Sequence, residues 1–196
     1  MSSHHFVKEG QEPALFILEE ISFHRIEPLL EWVPLIMVSD GVVEEVTHWG
    51  IKIDVVLQHT QPVEKLESLV RDQYPLQILP CEKNKVITTG LEFFGQNKFT
   101  GVNIISNMTD EICKSVEDYK NSFQVGIYSE SEKWSFVSHG KFEKWMPEGA
   151  TLLIKHAPGS SVRTENISKD EENWKISSGG MVKVRSNMPF WIGEPI

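Results

Sequence analysis

The hydrophobic pattern of this chain changes period partway along, and that change constrains the fold more than any single motif. Over about the first 120 residues, short apolar runs alternate with segments in helical spacing. ALFILE (14–19), PLIMVSD (34–40), IDVVLQ (53–58), LQILP (76–80) and GVNIIS (101–106) read as strands. Between them, FHRIEPLLEW (23–32) carries Phe23, Ile26, Leu29 and Leu30 at helical spacing, with Pro28 marking an early turn or a break. GVVEEVTHWG (41–50) reads as a short helix closed by Gly50. PVEKLESLVRDQ (62–73) opens on a proline suited to a first turn, and Leu66, Leu69 and Val70 form one apolar face. KVITTGLEFFGQN (85–97) reads as a weaker helix interrupted by Gly90, and TDEICKSVEDYKN (109–121) as a helix capped by Thr109 or Asp110.

Continuous apolar strands separated by helices predict an open, mostly parallel sheet with helices on both faces and right-handed connections. After about residue 122 the runs become short and rich in β-branched and aromatic residues: SFQVGIYS, KWSFVSH, KFEKWM, ATLLIKHA, SVRTENI, NWKISS, MVKVRS and PFWIGE. Turn signals such as PEG, PGS, SGG and NMP separate them. The expected organisation is an α/β domain over residues 1–122 and an all-β, sandwich-like domain over 123–196. SHGKFEKWMPEG pairs aromatic and charged residues as a hairpin would, with its aromatics expected in the core.

Composition narrows the partners. A net charge of −9 without a basic stripe argues against nucleic acid. No run approaches the roughly 20 apolar residues that span a bilayer, and the N-terminal segment has no signal-like apolar run. A cytoplasmic location is therefore the default expectation. Cys81 and Cys113 are the two cysteines, a count taken to exclude a disulfide framework and a four-ligand zinc site, and they read as reduced thiols in apolar surroundings. The sequons at Asn107 and Asn166 are discounted for want of a secretion signal. His4 and His5 do not make a tag, and His24, His48, His139 and His156 are isolated.

Phosphate-cradling glycine motifs, metal-ligand spacings and a nucleophile elbow are all missing. Candidates therefore come from position, at the ends of the predicted parallel strands where open α/β sheets bind ligands. Ser39, Asp40 and Gly41 end a strand and open a helix, so Asp40 caps that helix, faces a ligand, or does both. Asn84 and Lys85 follow the fourth strand, and Asn107 and Asp110 the fifth. No residue set is assigned to a metal.

The order of the two halves resembles the thiamine pyrophosphokinase family. VPLIMVSDGVVEEVTHWGIKIDVVL is similar to that family's strand–Asp-Gly–helix–strand stretch, PCEKNK to its loop before the second acidic motif, and YSESEKWSFVSHGKFEKWMPEGATLLIK to the first strands of its C-terminal sandwich. The resemblance implies transfer of pyrophosphate from ATP to thiamine, magnesium as cofactor, and a homodimer. Residue by residue the active site does not carry over. At the family's Gly-Asp-Phe-Asp-Ser motif this chain has QHTQP, with Gln58 for the glycine, His59 for the first aspartate and Gln61 for the second. At Gln-x-x-Thr-Asp it has KNKVI, with Val86 and Ile87 in place of the Thr-Asp pair. At Gly-x-Arg-x-Asp-His only Asp110 remains, and the thiamine-holding Ser-Asn-Glu segment finds no counterpart in NWKISSGGMVKV.

Magnesium requires hard oxygen ligands, and amides or a neutral imidazole substitute poorly for two aspartates. The expectation is a family member without catalysis that holds a nucleotide or thiamine-like small molecule at Ser39, Asp40, Gly41, Asp54, Asn84, Lys85, Asn107 and Asp110. Magnesium and ATP enter only if the family activity survives. The alternatives are a working enzyme whose acids come from Asp54, Glu64, Glu82 or Asp110, and a dimeric interaction subunit.

Overall fold

The structure is a computed structural model that describes residues 12–170 and 173–196. His4 and His5 lie outside the described residues. The chain forms two compact units, residues 1–130 and 131–196.

The first unit is built on six strands that pair in parallel: β1 (Ala14–Ile17), β2 (Ile36–Ser39), β3 (Val55–Gln58), β4 (Gln77–Pro80), β5 (Gly101–Ile105) and β6 (Gln124–Tyr128). Their spatial order is β6-β5-β1-β2-β3-β4. The chain steps outward from β1 to β4, then returns to β5 on the other side of β1. The strand order therefore reverses between β1 and β5.

Side chains alternate along β1, which is fully buried. Leu15 and Ile17 join a core with Ile26, Val43, Val46, Leu66 and Val70. These come from or adjoin helices α1 (Phe23–Ile26), α2 (Val43–His48) and α3 (Val63–Leu69). Phe16 points the other way and meets Phe94 of α4 (Val86–Gln96) edge-on, with ring centroids 5.7 Å apart. The α1 run gives way at Glu27–Leu29 to a 3₁₀ turn containing Pro28, the break that proline imposes. Gly50, with φ +68°, closes the α2 segment as expected. Thr109 caps α5 (Asp110–Glu117) by accepting the Ile112 N–H at 3.2 Å.

Two expectations are corrected here. Gly90 does not interrupt its helix: α4 runs unbroken over it, and a Cβ there would lie 2.4 Å from the Phe16 ring. The glycine is what lets the helix backbone approach the sheet. The segment around Gln124–Tyr128, expected to open the β half at residue 123, instead pairs in parallel with β5 and extends the first sheet.

The second unit is antiparallel throughout. One sheet has the order β11 (Ile167–Asp170), β12 (Asn173–Ile176), β9 (Thr151–His156), β14 (Phe190–Pro195), β7 (Glu132–Val137). The other has the order β10 (Val162–Glu165), β13 (Gly180–Ser186), β8 (Lys141–Met146). Met146, Val182 and Val184 of the small sheet share a core with Leu152, Ile176, Phe190 and Ile192 of the large one, so the two sheets sandwich it. Trp145 does not join this core: it is 64% exposed, opposite Met181.

Candidate functional site

A cleft of about 250 Å³ opens at the C-terminal ends of the parallel strands. Leu18 and Glu19 follow β1, Ser39 ends β2, His59 follows β3, and Ser106 follows β5. Lys83 in the 3₁₀ turn before α4, Val86 and Ile87 at the start of α4, and Thr109, Glu111 and Ile112 at the start of α5 complete its lining. This is where an open parallel sheet holds a ligand, because loops diverge where the strand order reverses.

The turn after β3 folds onto Asp40. Its carboxylate is fully buried. Oδ2 accepts the backbone N–H groups of His59, Thr60 and Gln61 at 2.9, 2.8 and 2.8 Å. Oδ1 accepts the Thr60 hydroxyl at 2.9 Å and lies 3.0 Å from His59 Nε2. Burial alone would push this carboxyl up, but the N–H groups of Gln61, Thr60 and His59 and the Thr60 hydroxyl outweigh it. They hold Asp40 below the ordinary value of 3.8. Asp40 therefore does not cap α2, and it is not among the residues that line the cleft. The cap position of α2 is Val42, with no side-chain cap.

The two glutamine amide nitrogens of the turn also donate to the protein, while the buried Gln61 Oε1 has no partner. Gln58 Nε2 donates to the Gln61 carbonyl at 2.9 Å, and Gln61 Nε2 donates to the Asp40 carbonyl. His59 reaches the cleft, and its Nε2 faces both Ser39 Oγ at 2.8 Å and Asp40 Oδ1. A Ser–His–Asp relay needs the hydroxyl and the carboxylate on opposite ring nitrogens. Here both are on one, and the buried Nδ1 has no protein partner. At Cys81, after β4, burial and then the negative charge of Asp40 push the thiol up, which disfavours the thiolate.

Other candidates scatter. Asp54 stands at the opposite edge, because it precedes β3 and parallel strands all begin on one side. Its carboxylate accepts the Ile36 N–H at 2.9 Å at the entry to β2. Asn84 and Lys85 sit in the exposed 3₁₀ turn Lys83–Lys85, of which only Lys83 lines the cleft, and Lys85 pairs with Glu82 at 2.6 Å. Glu64 is exposed in the first turn of α3. Asp110 is exposed beside the lining residues Thr109 and Glu111. Ile87, in place of the second motif's aspartate, lines the cleft with an aliphatic side chain.

Glu19 was not among the sequence candidates. Its Oε1 accepts the Ser106 hydroxyl at 2.9 Å. Its Oε2 accepts the Asn107 backbone N–H at 3.0 Å and side-chain Nδ2 at 2.7 Å. Its signal was positional: it follows the first strand just as Asp40 follows the second. Asn107 is thus engaged, and so is the other sequon residue, Asn166, whose amide bonds Ser178.

The donor set does not fit a magnesium–triphosphate complex. The two carboxylates nearest the strand ends, Asp40 and Glu19, already accept protein hydrogen bonds. Gln58 and Gln61 bond within the turn. No group of three or more His, Cys, Asp or Glu suited to a metal ion occurs among the described residues.

No protein-family model matches the sequence, and neither does any curated protein sequence. Solved structures do match the fold. A thiamin pyrophosphokinase from Geobacillus thermodenitrificans gives a TM-score of 0.71 at 8% identity, over 93% of this chain and 97% of its own. The thiamin pyrophosphokinase from Candida albicans gives 0.69 at 10% identity, over 94% and 90%. The thiamine pyrophosphokinase from Bacillus subtilis gives 0.67 at 6% identity, over 93% and 98%. The chain has the fold of the thiamine pyrophosphokinases. No helix among the described residues is long and apolar enough to cross a membrane.

Proposed function

We propose that this chain is a thiamine pyrophosphokinase-like protein that no longer transfers pyrophosphate and keeps a small-molecule cleft. The observation that carries this reading is the closed turn 58–61. Its backbone N–H groups bond the Asp40 carboxylate, and the Gln58, Thr60 and Gln61 side chains bond the turn and Asp40, with no carboxylate presented to a cation. Transfer of a pyrophosphoryl group depends on neutralising the developing charge with metal and cationic groups. Losing one such group commonly costs about a hundred-fold in rate, and several are replaced here. The ligand class this reading leaves open is a nucleotide or a thiamine-like heterocycle. The reading takes the first sheet as covered by helices on both faces, which the opposed packing of Leu15 and Phe16 supports. It also has the chain acting in the cytoplasm as a homodimer, which light scattering tests as twice the chain mass.

One observation favours a second reading, a working enzyme with relocated acids: Glu19 and Glu111 line the same cleft. AMP release from ATP and thiamine with magnesium separates the two. The expected result is no release above a no-thiamine control, in folded protein, beside an active pyrophosphokinase. Thiamine-dependent turnover overturns the first reading. Thermal shifts with ATP and with thiamine, each alone, then identify the ligand, since binding to the native state must stabilise it.

A further inference from the structure

Beside the place where the strand order reverses, Ser106 O–H donates to one oxygen of a single carboxylate and Asn107 N–H and Nδ2–H to the other, with the Asn107 carbonyl also 3.2 Å from Ser106 Oγ. Converging donors at such a crevice form a cradle for an anion. Here the anion is the chain's own Glu19 carboxylate. Glu19 and Ser106 line both the 250 Å³ cleft and a neighbouring cavity of about 40 Å³, so they border both spaces.

We propose that Glu19 is the specificity-determining residue of this cleft, an internal anion that fills the cradle and excludes phosphorylated ligands. The argument is one of charge and geometry. The donors that would otherwise hold a phosphate already have acceptors. A phosphate approaching them meets a like charge in a partly desolvated cleft, where repulsion is stronger than in water. The negative charge of Asp40 stands behind His59 on the same edge. The lining sets two carboxylates, Glu19 and Glu111, against one ammonium, Lys83, so the cleft then selects an uncharged or cationic ligand, which it meets with Leu18, Val86, Ile87 and Ile112. This inference rests on reading the cleft as a binding site, and it narrows the ligand class left open there.

The test is titration calorimetry with inorganic pyrophosphate on the wild-type chain, Glu19→Ala, and the double variant Glu19→Ala/Ser106→Ala. The expected result is negligible binding by the wild type and a gain of about ten-fold or more in Glu19→Ala, the scale of a charge-assisted hydrogen bond gained. Removing Ser106 as well abolishes the gain. Glu19→Gln keeps the side-chain shape and removes the charge, so it gains in the same direction by less, and it serves if the alanine variant does not fold. Unchanged pyrophosphate affinity in a folded Glu19 variant overturns the proposal, as does wild-type binding as tight as the variant's. Thiamine-dependent AMP release by the wild type would overturn the functional reading and, since ATP is itself phosphorylated, this proposal with it, whereas unchanged pyrophosphate affinity in Glu19→Ala without AMP release overturns the proposal alone.

Discussion

Asp40 and Glu19 follow neighbouring strands of one sheet and use the same chemical group in different ways. Asp40 is fully buried, and its donors are three consecutive backbone N–H groups and a hydroxyl of a single turn. Every lone pair it could offer a ligand points into that turn. Glu19 is half-buried, and its donors come from the end of β5 beside two cavities. The difference shows what separates a structural carboxylate from one that shapes a site. Each is hydrogen-bonded, but only Glu19 borders space that a ligand could enter.

That contrast predicts a hierarchy of effects. Asp40→Ala leaves three N–H groups and the Thr60 hydroxyl without their acceptor. The expected loss is about 3 kcal/mol, a fall in Tm of about 6–12 °C for a chain of this size. Urea unfolding checks it, and a loss below about 1 kcal/mol would mean the turn closes without the carboxylate. Gly90→Ala touches neither carboxylate, yet it presses a methyl onto Phe16 under the helix that walls the cleft. Overpacking of this kind costs about 2 kcal/mol, and a neutral outcome would show that the Phe16 ring can move aside. Glu19→Ala is expected to cost about 1 kcal/mol or less by the same unfolding assay. A loss as large as that of Asp40→Ala would erase the distinction and make Glu19 structural as well.

Much of this architecture was legible in the pattern of apolar residues. Strands β1 to β5 and the helices between them follow from alternating runs and spacings, because each run must bury its own face. What the sequence hid depends on neighbours. QVGIY over Gln124–Tyr128 reads equally well as a strand of either unit, and only its pairing with β5 decides. Gly90 looks like a helix breaker until the Phe16 ring is set beside it. Asp40 looks like a cap because the donors it uses lie about 20 residues further on, in the turn after β3. Asp54 is a different case. It precedes its strand, and parallel strands put every start on the edge away from the ligand side, so its exclusion was available from strand direction alone. Glu19 was available from the same rule applied to the first strand.

The last effect is a dependence on acidity, and it sharpens the contrast most directly. Asp40 is held below its ordinary value of 3.8 in the folded chain, by hydrogen bonds that outweigh the upward push of burial. A carboxyl with a depressed folded-state value contributes stability that is fully present above the unfolded-state value. That stability is lost as pH falls through the folded-state value, because the unfolded chain binds the proton more readily. Between pH 7 and about 5 the contribution of Asp40 is therefore flat. Below about pH 4 the wild type loses stability through this group, whereas Asp40→Asn has no such charge to lose. The stability gap between the two proteins should be widest at neutral pH and should narrow as the solution is acidified. Urea unfolding midpoints from pH 7 down to 3 measure it. A gap that stays constant across that range would mean that the turn 59–61 recognises the shape of Asp40 and not its charge.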